Sequence, residues 1–163
     1  LQDKLGPVNW QFLASKKLDP ADFEAFLKLL PRRIDGRSLR HAVEVRHDSF
    51  KTPAFVMLAR QYGVAIVTAA DSDYPQIADA TAPFAYVRIM GTVEKQAKGY
   101  AKKALDRWAD RARDWAAGKL PAGLETVSGG QAMPTPRDLF LYVISGHKVR
   151  NPAAAMALIE RLG

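Results

Sequence analysis

The sequence contains no cysteine and only three histidines among its 163 residues. The absence of cysteine excludes disulfides, thiolate zinc sites and cysteine nucleophiles, and it is compatible with the reducing cytoplasm, where we expect the protein to reside. A run of about 18 apolar residues, as needed for a membrane-spanning helix, is also missing, so we expect no membrane partner. The motifs GxGxxG, GxxxxGK[ST] and GxSxG do not occur, which argues against common dinucleotide, P-loop and α/β-hydrolase sites.

Positive charge is the main compositional bias. The 24 Lys and Arg residues exceed the 17 Asp and Glu residues, which gives a formal net charge of +7. Such a balance favours anionic partners, either a small anionic or phosphorylated ligand or a nucleic acid. A solvated basic surface explains it equally well, because the charges are spread along the chain. In residues 102–114 the basic side chains are interleaved with aspartates, as on a salt-bridged helix face.

Apolar periodicity and helix-boundary signals predict a single α/β domain over residues 1–163. Strands are predicted at 7–12, 40–46, 64–70, 84–89 and 139–144, and helices at 19–30, 52–63, 100–117 and from 151 onward. We expect Asp19-Pro20, Thr52-Pro53 and Asn151-Pro152 to cap three of the helices. Residues 118–137, rich in Gly and Pro, are expected to form a mobile loop. Strands that alternate with helices indicate a parallel sheet.

Three of the predicted strands carry polar side chains at alternate positions. Asn9 and Gln11 share one face of the first strand, Glu44 and Arg46 share one face of the second, and Arg88 stands in the same way on the fourth. A charge that points into a protein interior is costly unless it is paired or used. The repetition therefore predicts a polar interior. A doubly wound sheet also fits the element order, but the inward polar side chains favour a partial TIM-like (β/α) barrel of five parallel strands.

Glu44, Arg46 and Arg88 are the central candidates for a binding or active site. We expect the two arginines to form an anion clamp, because guanidinium groups bind phosphate and carboxylate with paired hydrogen bonds. Glu44, close to two cations, would act as a base, as an acid or as an orienting group. The alternative is a buried ion-pair network that only fills the interior, and it requires the same geometry. Gln11 is expected to bind substrate at the rim of this pocket.

Asp71 and His47 follow strands, where barrel enzymes carry functional groups. Asp71 is a candidate catalytic carboxylate, and the alternative is a turn aspartate that bonds its own backbone. His47 is a candidate general base. Its alternatives are a structural histidine bonded to a nearby carbonyl and a metal ligand with Glu44, Asp71 and His147. The spacing of these residues is not a recognised metal-binding motif, so we predict no metal site, and no cofactor is indicated.

Residues 145–151 join the last predicted strand to the last helix. Lys148 and Arg150 place positive charge there. Barrels often bind phosphate at this position through glycine backbone and a helix N-terminus. Both residues are therefore candidate substrate-binding residues. The alternative is a basic surface turn that Asn151 caps.

Several motifs follow one another along nearly the whole chain: Leu5-Gly6-Pro7-Val8 with Gln11, Ala42-Val43-Glu44-Val45-Arg46-His47, Tyr86-Val87-Arg88 ahead of Gly91, and Tyr100 with Trp108. In order and spacing they resemble the YecE-like family, known as domain of unknown function 72. The VExRH core at 43–47 is the most specific of them. The sequence departs from the usual family pattern at Ala14-Ser15, Met90 and Ile144-Ser145.

The resemblance implies a TIM-like barrel of about 250 residues, of which this sequence would hold strands four to eight. Because the family is uncharacterised, it implies no reaction. Together with the candidate residues, it leads us to expect an enzyme that binds a small anionic or phosphorylated substrate at the carboxyl ends of the strands. A hydrolase, an isomerase or a lyase is expected by fold analogy. The alternatives are a protein that binds or processes nucleic acid and a piece without activity of its own.

The sequence begins at Leu1 rather than at Met, almost within the first predicted strand. We therefore expect a piece of a longer polypeptide or a processed product. Five strands of an eight-stranded barrel leave two unpaired edges, and such edges invite pairing with another chain. Self-association through these edges is a further expectation.

Overall fold

The computed structural model describes residues 4–129 and 136–163. The strands are β1 (Val8–Gln11), β2 (Arg33–Ile34), β3 (Arg37–Ser38), β4 (His41–Glu44), β5 (Ala65–Ile66), β6 (Thr68–Ala70), β7 (Phe84–Ile89) and β8 (Asp138–Val143). The helices are α1 (Pro20–Leu29), α2 (Pro53–Tyr62), α3 (Lys102–Ala116) and α4 (Asn151–Leu162). No helix in this part of the chain combines the length and the apolar character that crossing a bilayer requires.

Parallel pairing orders the strands as they follow in the chain, which confirms the predicted α/β class. β1 pairs with β4 and β4 with β5, while β6 pairs with β7 and β7 with β8, all in parallel. Helices α1, α2 and α3 cross over from β1 to β4, from β4 to β5 and from β7 to β8. The result is two three-stranded parallel sheets and, within residues 4–129 and 136–163, no closed barrel.

The continuous strand predicted at 64–70 is instead two short strands, so its predicted extent was wrong. β5 pairs with β4 and β6 pairs with β7, and the chain passes from one sheet to the other at Val67, whose N–H donates to a β4 carbonyl at 2.9 Å. Beside β5, the Thr81 hydroxyl donates to the Val64 carbonyl at 2.7 Å and accepts from the Ile66 N–H at 3.1 Å. The Thr81 side chain therefore supplies hydrogen bonds that a neighbouring strand would make.

Alternation along the strands gives the sheets an apolar outer face and a polar inner face, as predicted. On the outer face, residues 43 and 45 pack with α1 and α2, and residues 87 and 89 pack with α3 and α4. Trp108 and Trp115 of α3 are 1% and 2% exposed, so both side chains belong to the core. The inner face carries a smaller apolar cluster in the amino-terminal halves of the strands, composed of Ala42, Ala65, Val67, Ala82, Phe84 and Tyr86.

Local signals explain where most helices begin and end. The Asp19 carboxylate accepts from two N–H groups of α1, at 3.0 and 3.1 Å, and the Thr52 hydroxyl caps α2. α2 ends at Gly63, whose φ of 65° lies in the left-handed region that glycine adopts without strain. The predicted Asn151 cap was wrong. Asn151 is the first residue of α4, and its side chain accepts a hydrogen bond from the Thr92 hydroxyl instead of capping the helix.

A β-hairpin formed by β2 and β3 precedes β4 and was not predicted. Asp35 and Gly36 form its two-residue turn, with positive φ values of 49° and 77°. An Asp-Gly pair is a strong local signal for this turn, so the hairpin could have been predicted from the sequence. With Leu5 and Arg40, the hairpin lines a groove of about 680 Å³ at the amino ends of the strands.

Residues 118–129 belong to the segment predicted to be mobile, and a buried carboxylate anchors them. Asp79, 4% exposed, accepts from the N–H groups of Val127 and Ser128 at 2.7 and 2.9 Å, and also from the Ser128 hydroxyl. Close by, the Ala78 N–H donates to the Glu125 carbonyl at 2.8 Å. The rest of the segment includes residues 130–135, which lie outside the described residues, and the mobility of the segment stays a prediction.

Replacing Asp79 by alanine would remove the acceptor of these hydrogen bonds and leave two backbone N–H groups without a partner. We expect the free energy of unfolding to fall by about 1–3 kcal/mol, and trypsin to cleave faster after Lys119. Urea denaturation and a time course of limited proteolysis measure these effects. Asp73→Ala, which changes an exposed aspartate, is the matched control and should change stability by less than about 0.5 kcal/mol. Equal effects of the two variants would contradict the anchoring role.

Candidate functional site

A fully buried carboxylate lies between two guanidinium groups on the inner face. The side chain of Glu44, at the end of β4, is 0% exposed, whereas those of Arg46 and Arg88 are 21% and 18% exposed. Arg46 donates from Nε and Nη2 to Glu44 Oε1, at 2.9 and 2.8 Å. Arg88, in β7, donates from Nη1 to Glu44 Oε2. The structure thus brings together the three residues that the sequence predicts to share one interior.

Gln11, at the end of β1, closes this group of side chains on its exposed side. Its amide oxygen accepts from Arg46 Nη2 at 2.8 Å and from Arg88 Nη1 at 3.0 Å. Asn9 donates to Glu44 Oε2 at 3.4 Å, and its own amide oxygen is buried without a partner in the described part of the chain. We refer to Gln11, Glu44, Arg46 and Arg88 as the arginine cluster.

Strand register and a small side chain in the middle strand make the arginine cluster possible. Gln11 and Glu44 are register partners on neighbouring strands, so their side chains point to the same face. The register partner of Arg88 on β6 is Ala69, which is 1% exposed. Because the Ala69 methyl group takes up little space, the Arg88 side chain can reach across β6 to Glu44. β4 and β7 therefore contribute opposite charges to one point although they do not pair.

Arg46 connects the arginine cluster to an open groove. Its guanidinium lies over the Tyr74 ring, 4.4 Å from the ring centroid, which is a cation–π arrangement. Tyr74 lines a groove of about 390 Å³ together with Asp71, Asp73 and Lys51. The groove begins where β6 ends, so it adjoins the arginine cluster at the carboxyl ends of the strands.

Asp71 has a strained backbone and a fixed carboxylate at the end of β6. Its φ of 51° lies in the left-handed region, which is uncommon for residues other than glycine. The Trp108 indole N–H donates to the carboxylate at 3.1 Å. The Tyr100 hydroxyl, which accepts from the Gly91 N–H at 2.8 Å, also interacts with Asp71. A Cβ on Gly91 would come within 2.7 Å of the Asp71 side chain, so glycine is required there. Asp71 itself remains exposed and faces the groove.

Three other predicted site residues have no hydrogen bond to the arginine cluster in the described structure. His47 caps a 3-10 turn over Asp48–Phe50, where its Nδ1 accepts from a backbone N–H at 3.1 Å. This is a structural position, although it uses an N–H rather than the carbonyl considered as its alternative. Lys148 and Arg150 lie in a second 3-10 turn, where Arg150 Nε donates to the Glu94 carbonyl at 3.3 Å. Their binding of phosphate and a base role for His47 stay predictions.

Other features bear on metals and nucleic acids. In the part of the chain that the structure describes, no group of three or more His, Cys, Asp or Glu residues is arranged to hold a metal ion. One basic side chain of α3 and one of α4 are paired with carboxylates: Arg113 with Asp110 at 2.9 Å, and Arg161 with Asp106 at 2.7 Å. These pairs agree with the predicted salt-bridged face, and a nucleic-acid partner stays a prediction.

The family model described as "Protein of unknown function DUF72" matches residues 1–163. This chain belongs to the DUF72 family. The match confirms the resemblance seen in the motifs, because the YecE-like proteins and DUF72 are one family. A comparison with curated proteins finds no match for this DUF72 chain.

Solved structures of other DUF72 family proteins share the fold. A protein from Thermotoga maritima MSB8 is similar over 98% of this chain, with a TM-score of 0.67 and 15% identity. A protein from Enterococcus faecalis V583 is similar over 98% of the chain, with a TM-score of 0.63 and 13% identity. The matches cover 57% and 61% of those two proteins, so this chain spans about three fifths of their length.

Replacing Glu44 by alanine would leave Arg46 and Arg88 largely buried without a counter-charge. We expect the free energy of unfolding to fall by about 3–5 kcal/mol, as measured by urea denaturation. The matched control is Asp138→Ala, which breaks the pair between Asp138 and Arg40, whose side chains are 71% and 36% exposed. That variant should lose less than about 1 kcal/mol. Losses of the same size in both variants would show that the buried carboxylate has no special role in stability.

The buried hydroxyl of Tyr100 predicts a pH dependence of stability. Burial and the neighbouring Asp71 charge raise the pKa of the Tyr100 hydroxyl well above its usual range. Above about pH 10 the unfolded chain releases this proton while the folded chain retains it, so the free energy of unfolding falls as the pH rises. We expect the free energy of unfolding of the Tyr100→Phe variant to fall less steeply between about pH 9 and 11, a range centred on the ordinary tyrosine pKa of about 10. Urea denaturation at a series of pH values measures this decline. An unchanged slope would contradict the assignment.

Proposed function

We propose that this DUF72 chain binds a small anionic ligand, through a carboxylate or phosphate group, between Arg46 and Arg88. The observation that supports the proposal is the convergence of both guanidinium groups on one oxygen, the amide oxygen of Gln11, at 2.8 and 3.0 Å. Two arginines that share one acceptor position direct their donors to the same point in space. An anionic oxygen at that point, in place of the Gln11 amide, would accept two charge-assisted hydrogen bonds.

The charges of the arginine cluster favour an anion over a neutral ligand. Two guanidinium groups face the single Glu44 carboxylate, so one positive charge is left uncompensated within the cluster. Glu44 is fully buried, and its part is to position the arginines rather than to contact the ligand. The arginine side chains keep about a fifth of their surface exposed, so an ion from solvent can reach their donors.

We infer that the parallel strands of this chain form part of a TIM-like barrel. The inference is supported by their sequential parallel order, by the polar inner face, and by the greater length of the similar solved proteins. In such barrels functional groups lie at the carboxyl ends of the strands. Gln11 and Glu44 are the last residues of β1 and β4, and Asp71 directly follows β6. Asp71 would act as the acid or base toward a ligand held by the arginines, as a hydrolase, isomerase or lyase requires.

A purely structural ion-pair network is the competing explanation of the arginine cluster. A single guanidinium group would be enough to pair with the Glu44 carboxylate. An ion-pair network that only fills the interior would gain no stability from having its Gln11 side exposed to solvent. Gln11 is exposed, and its side chain can turn away without breaking an ion pair. The two explanations therefore differ in whether an anion can replace the Gln11 amide oxygen.

Gln11→Glu would place a carboxylate where the two arginines converge. We expect this variant to melt at a higher temperature than the wild type, because it neutralises the remaining positive charge. We expect its affinity for inorganic phosphate to be about 10-fold lower, since its own carboxylate occupies the donors. Gln11→Ala removes the competing amide and should bind phosphate at least as tightly as the wild type. Isothermal titration calorimetry at constant ionic strength measures the affinities, and thermal denaturation followed by circular dichroism measures the stability.

Gln61→Glu is the matched control, because it makes the same charge change at an exposed position of α2. It should leave phosphate binding unchanged. Equal phosphate affinity of the Gln11→Glu variant and the wild type would contradict the proposal. A wild-type chain that binds no phosphate at millimolar concentration would contradict it as well, and the arginine cluster would then be structural.

A further inference from the structure

A stacked pair of tyrosines lies on the same inner face as the arginine cluster. The rings of Tyr86 in β7 and Tyr142 in β8 have centroids 5.1 Å apart and planes inclined by 29°. Tyr86 is 9% exposed and fixed in the inner apolar cluster, whereas Tyr142 is 42% exposed. The buried ring thus supports the exposed one, and the Tyr142 ring is held in place while much of its surface faces solvent.

Register places the tyrosine pair next to Arg88. Tyr142 is the register partner of Arg88 on the neighbouring strand, so the two side chains point to the same face. The pKa of Tyr86 is raised, chiefly by burial and then by the neighbouring Tyr142, and the charges of Arg88 and Glu44 also act on it. The aromatic pair and the charged groups therefore belong to one continuous surface.

This inference rests on the proposed function. We propose that the ligand is an aromatic anion, whose planar ring stacks on Tyr142 while its carboxylate or phosphate group lies between Arg46 and Arg88. Aromatic rings prefer offset-stacked or edge-to-face arrangements at centroid distances of about 4.5–7 Å, and Tyr86 and Tyr142 are stacked at a distance within that range. A ligand ring would extend this stack by one more member, and the nearby positive charge explains why the ring should carry an anionic group.

The ligand class follows from the order of these groups on the sheet. Arg88 stands between Glu44 on one side and Tyr142 on the other, so the anionic group and the ring must be close neighbours in the ligand. Phenyl phosphate is the simplest probe with this arrangement. Cyclohexyl phosphate has the same anionic group and a ring of similar size, but its ring is not planar and cannot stack. Inorganic phosphate tests the arginines alone.

Calorimetric titration of the wild-type chain with the three anions tests the inference. We expect phenyl phosphate to bind about 3- to 10-fold more tightly than cyclohexyl phosphate. In Tyr142→Leu this preference should disappear while the affinity for inorganic phosphate stays the same. In Tyr142→Phe, which keeps the ring, the preference should remain. Circular dichroism shows whether each variant is folded, and the conservative Tyr142→Phe variant provides a test in a protein that keeps the aromatic stack.

The outcomes separate this inference from the proposed function. Equal binding of phenyl phosphate and cyclohexyl phosphate, or a preference that persists in Tyr142→Leu, would overturn the aromatic ligand and leave the arginine site standing. Binding of inorganic phosphate without binding of phenyl phosphate would also overturn the aromatic ligand and leave the arginine site standing. If none of the three anions binds, the proposed function fails and the aromatic ligand fails with it.

Discussion

Burial of the Glu44 carboxylate is the constraint on which the rest of this structure depends. A carboxylate without water is costly by several kcal/mol unless opposite charges and hydrogen bonds replace its hydration. Arg46 and Arg88 provide both, and they come from the end of β4 and from β7, which belong to different sheets. The requirement therefore fixes how the two sheets lie relative to each other, with the small Ala69 side chain between them.

Stability of the fold does not by itself require charged residues on the inner face. Well-packed apolar residues in place of a buried ion pair are often neutral or stabilising. The amino-terminal halves of the same strands show this, because there the inner face is filled by residues such as Ala65 and Phe84. The change from apolar to charged side chains occurs toward the carboxyl ends. This position agrees with the proposed anion site, because barrels bind their ligands at the carboxyl ends of their strands.

Side-chain alternation predicted that Glu44, Arg46 and Arg88 point into one interior, whereas the contact between Glu44 and Arg88 depends on the small Ala69 side chain between them. The Asp35-Gly36 hairpin was not predicted, although it could have been, because an Asp-Gly pair is a clear sequence signal for a turn with two successive positive φ values. Other features depend on contacts between residues far apart in the chain. Helical periodicity places Trp108 in the core, but nothing local shows that its indole N–H reaches Asp71. The break in the middle strand depends on Thr81, whose pairing with β5 only the folded chain shows.

The backbone is strained at two positions along the carboxyl edge of the sheet. Asp71 and Ser145, which follow the ends of β6 and β8, both have positive φ although neither is glycine. Gly146 packs so tightly that a Cβ there would lie 2.6 Å from the Thr92 carbonyl oxygen. Strain of this kind persists only where the surrounding structure holds it, and it occurs often at binding sites. Contacts of this kind keep Asp71 in place at the groove that Tyr74 also lines. A rigid edge of this kind would lose little conformational freedom on binding the proposed anion.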